Sequence, residues 1–301
     1  PVVKRVVDKF KTRSDAALEA NYRQMVQLYG MPSNILAWDG KESEIDLWMR
    51  ARIKQRCLQW QRAMDNYDLR GAVDASHFDI VKDLNWYRRR GGDNPDLGKE
   101  ILDIWTHMIS IATPHIAEDW WKMLGNSDLI ASRTFTLPGN LNSEEEAALE
   151  AESYLRAFLE QARKVAKVAS KHIDGDLSAA TVHISRPWKR ELAQAAITHL
   201  EEGENIKTFA GKLANLQFVK PENRGEIMGF WGKRMLPQIF KWSDDEKLMI
   251  SGSLNEEDIL TAASEFICGE LGLSSIAIEA GTIDVGRSST AIPLSPSIVY
   301  S

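Results

Sequence analysis

Residues 43–67 read SEIDLWMRARIKQRCLQWQRAMDNY, and this stretch predicts a long helix with one buried face. Its apolar side chains recur every three or four positions, at Ile45, Trp48, Met49, Ile53, Cys57, Trp60 and Met64. Such spacing gathers them into one stripe and leaves Arg50, Lys54, Gln61 and Arg62 on other faces of the helix.

Further helices are predicted on both sides of this one. Before it, residues 15–29 have helical periodicity and are followed by Gly30-Met31-Pro32, which predicts a stop. After it, periodic segments predict helices over residues 69–90, 95–112 and 114–124, with a connection over 125–142. Ser143 and Glu146 form a capping-box pattern that starts a long helix reaching to about Gly175.

The pattern changes after Gly175. Residues 177–185 have a β-branched centre that favours a strand, as do 274–279 and 297–300. Helices are predicted between these strands, over residues 188–200, 206–216, 222–242 and 256–271. The predicted fold class is therefore mainly α, with a helical bundle over residues 1–175 and a small α+β domain over 176–301.

Composition places the chain among ordinary globular proteins. It has 301 residues, 44% hydrophobic and 27% charged, with a formal net charge of −6. No apolar run reaches the roughly 20 residues that a bilayer helix needs, and no signal-peptide pattern is present at the start. We expect a cytoplasmic protein with no membrane partner, whose two cysteines, Cys57 and Cys268, are reduced.

The net charge hides three basic segments. Residues 50–90 hold ten basic and five acidic side chains, residues 156–190 hold eight and three, and residues 207–241 hold seven and two. Acids concentrate in short runs such as residues 144–146 and 256–258, where helices are predicted to begin or end and where negative charge complements the helix dipole. Nucleic-acid binding by local basic surfaces is thus compatible with an acidic total.

Catalytic and metal-binding patterns are missing from the sequence. Residues 91–100 contain Gly-Lys but lack the spacing and the Ser or Thr of a phosphate-binding loop. No Gly-x-Ser-x-Gly string occurs, and the six histidines lack the paired spacing of a zinc site. We expect no catalytic residue, no metal site and no cofactor in this chain.

Tryptophans fall into two groups. Trp48, Trp60, Trp86 and Trp105 lie on apolar stripes, where a core position is the favoured interpretation. Trp188 and Trp231 lie in cationic runs, a pattern typical of residues that stack on nucleotides. The same pattern is typical of tryptophans that anchor the first turn of a helix to a sheet, with flanking cations that only solvate the surface. The sequence leaves both interpretations open.

Several of these motifs, taken in order, resemble a known family. EIDLWMRAR at 44–52, AMDNYDLR at 63–70, DLNWYRRR at 83–90 and ATPHIAEDWW at 112–121 are similar to the anticodon-binding helical bundle of class I aminoacyl-tRNA synthetases. RPWKRE at 186–191, EEDILTAASEFICGEL at 256–271 and AIPLSPSIVYS at 291–301 resemble the C-terminal portion of the archaeal and eukaryotic leucyl-tRNA synthetases. The resemblance covers nearly the whole chain.

This resemblance implies a function in tRNA binding. The family's His-x-Gly-His and Lys-Met-Ser-Lys-Ser strings do not occur here, so the chain resembles a C-terminal portion without the catalytic and editing domains. The parent would be a leucine–tRNA ligase using ATP and Mg²⁺ upstream, with tRNA-Leu and the rest of the synthetase as partners and no DNA. In this family the bundle packs along the inside of the tRNA, and the C-terminal domain reaches its outer corner and long variable arm.

Candidate RNA-binding residues combine the basic segments with the family motifs. The Trp-Tyr-Arg and Pro-Trp-Lys motifs contribute Arg88 to Arg90 and residues 186–190, while the C-terminal tail could present Tyr300 to bases or close a sheet. The predicted set is Arg50, Lys54, Arg88, Arg89, Arg90, Arg186, Trp188, Lys189, Arg190, Lys207, Lys212, Lys233, Arg234, Val299 and Tyr300.

Two alternatives stay open. One is a protein-interaction scaffold of a synthetase assembly, whose acidic runs and long helix over residues 143–173 bind protein partners. The other is the equivalent tail of an isoleucyl- or valyl-tRNA synthetase, which shares the bundle but is disfavoured by residues 176–301.

Overall fold

A computed structural model describes residues 2–173, 175–280 and 286–301. Packing divides the chain into two compact units, Pro1–Leu149 and Glu150–Ser301. The division falls inside a long helix, whereas the predicted domains meet at residue 175. Compact packing units need not coincide with domains, so the predicted domain boundary at residue 175 stays a prediction. Among the described residues, no helix combines the length and the apolar character that crossing a bilayer requires.

The first unit is a helical bundle, as the periodicity predicted. Its helices are α1 (Val2–Leu36), α2 (Glu44–Asp65), α3 (Leu69–Val73), α4 (Ile80–Arg89), α5 (Pro95–Ile109), α6 (Pro114–Met123) and the first turns of α7 (Ser143–Ala169). A π-helical segment, Asp74–Asp79, joins α3 to α4. The core is built around four buried tryptophans, Trp48, Trp105, Trp120 and Trp121, while Trp60 and Trp86 are half-buried against it.

The predicted stop at residues 30–32 was wrong. Helix α1 continues through Pro32 to Leu36 because Met31 and Ile35, which the predicted stop left out of the helix, are buried in the bundle core. An interior proline costs about 3 kcal/mol, whereas burying one large apolar side chain gains about 1.5–3 kcal/mol. Two such side chains offset the cost of one proline, so packing overrides the local signal.

Local capping sets several helix starts. Asn94 accepts hydrogen bonds from the backbone of Asp96 and Leu97, and Pro95 follows it at the first position of α5. The capping box of α7 lies one residue earlier than predicted. Asn142 Oδ1 accepts from the Glu145 amide, and the Glu145 carboxylate accepts from the Asn142 amide.

The second unit is α+β, which confirms the predicted fold class. After the remainder of α7 come β1 (Ala179–His183), α8 (Pro187–Glu201), α9 (Ile206–Lys212), α10 (Arg224–Phe230), α11 (Leu236–Ile239), α12 (Asp244–Ser251), α13 (Glu256–Ala262), α14 (Ser264–Leu271), β2 (Ser275–Glu279) and β3 (Ser297–Tyr300). The long helix predicted over 222–242 is interrupted by a π-helical segment, Trp231–Met235, and that over 256–271 breaks at Ala263. Helix α12 was not predicted.

The sheet of the second unit has the strand order β2-β1-β3. β1 runs parallel to β2 and antiparallel to β3, so that Val182 faces Ile278 on one side and Ile298 on the other. The terminal Ser301 carbonyl accepts hydrogen bonds from the amides of Ser178 and Ala179. The C-terminal tail is thereby fixed as an edge strand.

Candidate nucleic-acid interface

Much of the first basic segment is neutralised inside the bundle. Arg56 of α2 donates from Nε to Asp83 at 2.7 Å and from Nη1 to Asp79 at 3.0 Å, and Asp83 is buried. Asp83 lies on α4, and Asp79 lies in the π-helical segment just before it. The charge excess of residues 50–90 therefore overstates the cationic surface of this unit.

Two predicted RNA-binding residues of α2 are also paired. Arg50 Nε lies 3.1 Å from Glu100 Oε2, and this hydrogen bond raises the pKa of the guanidinium. Lys54 Nζ lies 2.8 and 3.1 Å from the two carboxylate oxygens of Glu145. Burial pushes the pKa of Glu145 up, but the bond from Lys54 and that from the Asn142 amide outweigh it and lower the pKa. A phosphate would have to displace a carboxylate at either residue.

The Arg88–Arg90 cluster lies at the end of α4. Arg88 is half-exposed, with its guanidinium carbon 5.6 Å from the Trp38 ring centroid and its Nη1 donating to the Gly92 carbonyl at 2.9 Å. Arg89 is exposed, and its guanidinium carbon lies 6.0 Å from the Trp86 ring centroid. Gly91 follows with φ of +87°, a left-handed turn that ends the helix. The structure brings these three predicted residues together.

A buried network under the cluster fixes its position. Asp46 of α2 accepts hydrogen bonds from Tyr87 Oη at 2.6 Å and Asn94 Nδ2 at 2.7 Å, and also from the backbone amide and hydroxyl of Ser43. Burial raises the pKa of Asp46, but these four bonds outweigh burial and the pKa is lowered. Since Tyr87 directly precedes Arg88, the network sets the orientation of the arginine cluster.

In the second unit, two predicted residues of the Pro-Trp-Lys motif have structural contacts instead. Lys189 is fully buried, and its Nζ donates to the carbonyls of Ser289 and Ala291, each at 3.1 Å. Arg190 Nη2 donates to the Met249 carbonyl at 2.6 Å and the Gly252 carbonyl at 3.2 Å, at the end of α12. The prediction that Lys189 contacts RNA is wrong, because this side chain is fully buried. The prediction for Arg190 stays a prediction, since only its Nη2 is bonded to these carbonyls and its side chain is partly exposed.

Trp188 and Arg186 lie beside them at the start of α8. Trp188 is half-buried and meets Phe230 edge-to-face, with ring centroids 5.1 Å apart. Arg186 Nη1 lies 3.3 Å from Glu226, and its guanidinium carbon lies 6.0 Å from the Trp188 ring centroid. Trp188 therefore packs the start of α8 against α10 and not against the sheet, and its contact with RNA stays a prediction.

The C-terminal tail is likewise part of the fold. Tyr300 is buried, and its hydroxyl donates to the Ala162 carbonyl at 2.8 Å. Burial raises the pKa of this phenol to about 12. Val299 is half-buried within β3. The prediction that Tyr300 meets RNA bases is corrected, since its ring and hydroxyl are both occupied.

An exposed cationic surface remains on the helices between α9 and α12. Lys233 and Arg234 are exposed on the π-helical segment, between the buried side chains of Trp231 and Met235. Phe209 of α9 packs on Trp231 at a centroid distance of 4.8 Å, which joins the helix bearing exposed Lys207 to this segment. Within the described residues, none of these three cations has an ionic or hydrogen-bonded partner on its side chain.

Three more cations of the same part of the chain, Lys220, Arg224 and Lys241, are exposed and have no side-chain partner among the described residues. They belonged to the basic segment over residues 207–241 but not to the predicted set, because sequence alone does not separate free cations from paired ones. Lys212, which was in that set, lies 2.7 Å from Glu204. We call Lys207, Lys220, Arg224, Lys233, Arg234 and Lys241 the α9–α11 basic surface.

One cluster has donors suited to a metal ion. Ligand atoms of His199, Glu202 and Glu204 lie within 4.8 Å of one another, a grouping that sequence spacing did not predict. Lys212 Nζ lies 2.7 Å from Glu204 and 3.4 Å from His199 Nδ1. Its ammonium group already supplies a positive charge at this position.

Comparisons with known proteins agree with the RNA-binding interpretation. Residues 46–176 match the family model described as the anticodon-binding domain of tRNA ligase. A leucine–tRNA ligase of Methanocaldococcus jannaschii is 28% identical in an alignment 293 residues long, which covers 93% of this chain and 28% of that protein. The corresponding enzyme of Archaeoglobus fulgidus is 27% identical over 96% of this chain and 28% of that protein. Leucine–tRNA ligase 1 of Sulfolobus acidocaldarius is 27% identical over 85% of this chain and 26% of that protein.

These matches confirm the predicted resemblance to a C-terminal region of the leucyl-tRNA synthetases. The relatives are ligases of the class I synthetase type, and the chain spans about a quarter of the length of those it matches. The anticodon-binding match begins at Asp46, the residue that organises the network beneath Arg88.

Proposed function

We propose that this chain is the tRNA-binding C-terminal part of a leucyl-tRNA synthetase and that it contacts tRNA-Leu through two basic surfaces. The observation that carries the proposal is the α9–α11 basic surface, six exposed cations without partners in the described chain, within a sequence that matches leucine–tRNA ligases over most of its length. Free cations on a folded surface suit phosphate binding, because they have no ion pair to break.

The Arg88–Arg90 cluster supplies the second surface. Arg88 and Arg89 both lie over tryptophan rings, so their guanidinium groups are oriented before RNA arrives. Phosphate contacts by either surface would position the tRNA without reading its sequence. The shape of the long variable arm would distinguish tRNA-Leu from tRNAs that lack this arm.

Leucylation itself is proposed for the parent protein. ATP and Mg²⁺ would be bound by its upstream catalytic domain, in the cytoplasm, and this chain would contribute affinity and tRNA selection. On this proposal the chain alone binds tRNA but does not aminoacylate it.

The contact with the rest of a synthetase is proposed to use the outer face of α1. Leu18, Tyr22, Val26 and Tyr29 lie at helical spacing and are each between 46% and 71% exposed, opposite the buried Leu28. An apolar stripe of this length on a soluble unit is typical of a protein-facing surface. It also gives a specific observation in favour of the scaffold alternative, in which the same face binds other proteins of an assembly.

Binding measurements separate these functions. Fluorescence anisotropy should give tighter binding to tRNA-Leu than to the same tRNA with its variable arm deleted, and a charge-removing Lys233→Ala/Arg234→Ala variant should bind both more weakly. Lys247→Ala is the matched control, since Lys247 lies in the same unit but is already paired with Asp244 at 3.1 Å. Equal affinity for the two tRNAs would refute arm recognition. A nucleic-acid-free stoichiometric complex with a protein, together with no tRNA binding, would favour the scaffold.

A further inference from the structure

The C-terminal end of α8 brings three metal-ligating side chains together. Ligand atoms of His199, Glu202 and Glu204 lie within 4.8 Å of one another, the only such group of three among the described residues. Gly203 has φ of +78°, and the Glu204 amide donates to the His199 carbonyl at 3.2 Å. These are the marks of a Schellman helix end, whose outermost two side chains usually make an apolar contact. Here those two positions hold an imidazole and a carboxylate instead.

The imidazole of His199 is oriented as that of a metal-bound histidine would be. The side chain is 3% exposed, and its Nε2 lies 3.1 Å from the Asn205 carbonyl oxygen. Since a carbonyl only accepts hydrogen bonds, Nε2 carries the hydrogen of the neutral ring, and the Nδ1 lone pair faces Glu204 Oε2 at 3.3 Å. Metal-bound histidines donate their other N–H to such a carbonyl. Two ligands about 2.1 Å from one tetrahedral zinc ion are about 3.4 Å apart.

The charges at this helix end also favour a cation. The dipole of α8 places partial negative charge at its C-terminus, where the carboxylates of Glu202 and Glu204 are unfavourable. Lys212 Nζ compensates in part, since it lies 2.7 Å from Glu204 Oε2 and 3.4 Å from His199 Nδ1. The Glu202 carboxylate has no partner within the described part of the chain. Two carboxylates and one ammonium leave a net negative charge, which a divalent ion in place of the ammonium would neutralise.

We propose that His199, Glu202 and Glu204 bind a divalent transition-metal ion such as Zn²⁺, and that the ion displaces the ammonium group of Lys212. One imidazole with two carboxylates suits Zn²⁺, and water would complete a tetrahedral site. Mg²⁺ and Ca²⁺ prefer oxygen ligands alone and fit this group less well. Displacement is sterically simple because the Lys212 side chain is 51% exposed and can turn into solvent.

Calorimetric titration of the untagged, RNA-free chain with ZnCl₂ and with MgCl₂ tests the site. Zn²⁺ should bind more tightly than Mg²⁺. Glu204→Gln should lower zinc affinity more than about tenfold, since even residues that only orient metal ligands contribute about 10- to 100-fold. Lys212→Gln should raise zinc affinity about 1.4- to 5-fold, because the ion no longer has to break an exposed ion pair. Glu191→Gln is the matched control, since Glu191 is exposed on the same helix outside the cluster.

The visible absorption of Co²⁺ in place of Zn²⁺ gives a second readout, because a tetrahedral cobalt site absorbs far more strongly than hydrated Co²⁺. The absorption should be lost in Glu202→Gln/Glu204→Gln, which alters only exposed side chains and therefore leaves the core intact. No saturable zinc binding by the wild-type chain, or wild-type zinc affinity in Glu204→Gln, would overturn the site. Weaker zinc binding in Lys212→Gln than in the wild type would overturn the displacement of the ammonium.

The displaced ammonium connects the ion to tRNA, a step that rests on the proposed RNA-binding function. Once released, Lys212 is an unpaired cation on the helix that bears Lys207. Zn²⁺ should therefore steepen the salt dependence of tRNA affinity by about 0.7–0.9, one phosphate contact, in the wild type but not in Lys212→Gln. An equal effect of Zn²⁺ on both chains would overturn this step. If the proposed function itself fails, no tRNA binds, whereas the titration of the RNA-free chain still measures the metal site.

Discussion

Replacing Tyr87 with phenylalanine tests how the end of α4 is held. The Tyr87 hydroxyl donates to buried Asp46 at 2.6 Å and accepts from the Asn94 amide at 3.2 Å. A hydrogen bond to a charged group contributes about 1.5–3 kcal/mol, and leaving a buried N–H without an acceptor costs about 1–3 kcal/mol. Values near the lower end of both ranges predict a loss of about 3 kcal/mol for Tyr87→Phe, with no cavity because the ring is kept.

The pH dependence of this loss has a defined sign. Because the four hydrogen bonds lower the pKa of Asp46, its carboxylate stabilises the fold above the unfolded value of about 3.9, and this stabilisation is lost as pH falls through the folded pKa. The Tyr87→Phe penalty should therefore be largest near pH 7 and should shrink in acid, as the pH falls below the unfolded pKa and through the lower folded pKa of Asp46.

Hydrogen exchange of amides in α2 and α5 measures this penalty within the first unit alone. Tyr67→Phe is the matched control, since Tyr67 is 91% exposed, and its effect should stay within about 0.5 kcal/mol. An effect of Tyr87→Phe no larger than that of Tyr67→Phe, or one that grows as the pH is lowered from 7, would refute the reasoning.

Other contacts give three shorter predictions. Leu28→Ala, on the core face of α1, should lower the free energy of unfolding by about 2–5 kcal/mol. Val26→Ala, on the exposed face, should lower it by less than about 0.5 kcal/mol. Equal effects of the two variants in urea unfolding would contradict the assigned faces. Lys189→Met removes both hydrogen bonds to tail carbonyls, so amide exchange over residues 297–300 should accelerate, and unchanged exchange would count against this role. Tyr300→Phe should cost about 1 kcal/mol yet leave tRNA affinity unchanged, whereas weaker tRNA binding at wild-type stability would restore Tyr300 as an RNA contact.

Local patterns predicted most of the bundle because its helices carry their own signals. The stripe from Ile45 to Met64, the Asn94-Pro95 start and the Gly91 stop each act within a few residues, so sequence suffices to place them. The helix through Pro32 could not be predicted, since its stability comes from burial against helices distant in sequence. The π-helical segments escaped prediction because helical periodicity does not distinguish one inserted residue.

The candidate interface was predictable only in part. The basic segments predicted where cations are concentrated in the sequence. Whether a cation is free to bind phosphate depends on acidic partners distant in sequence, such as Glu145 for Lys54. Lys189 is a cation in a cationic run, yet it lies buried under carbonyls about 100 residues away in sequence.

The salt dependence of tRNA binding tests the central claim most directly. Lys233→Ala/Arg234→Ala should weaken tRNA-Leu binding and flatten the plot of log affinity against log salt concentration by about 1.4–1.8, since each phosphate contact contributes about 0.7–0.9 to that slope. Lys247→Ala should leave the slope unchanged. An unaltered slope and affinity in the Lys233→Ala/Arg234→Ala variant would contradict the account, because the α9–α11 basic surface would then not be where this chain meets tRNA.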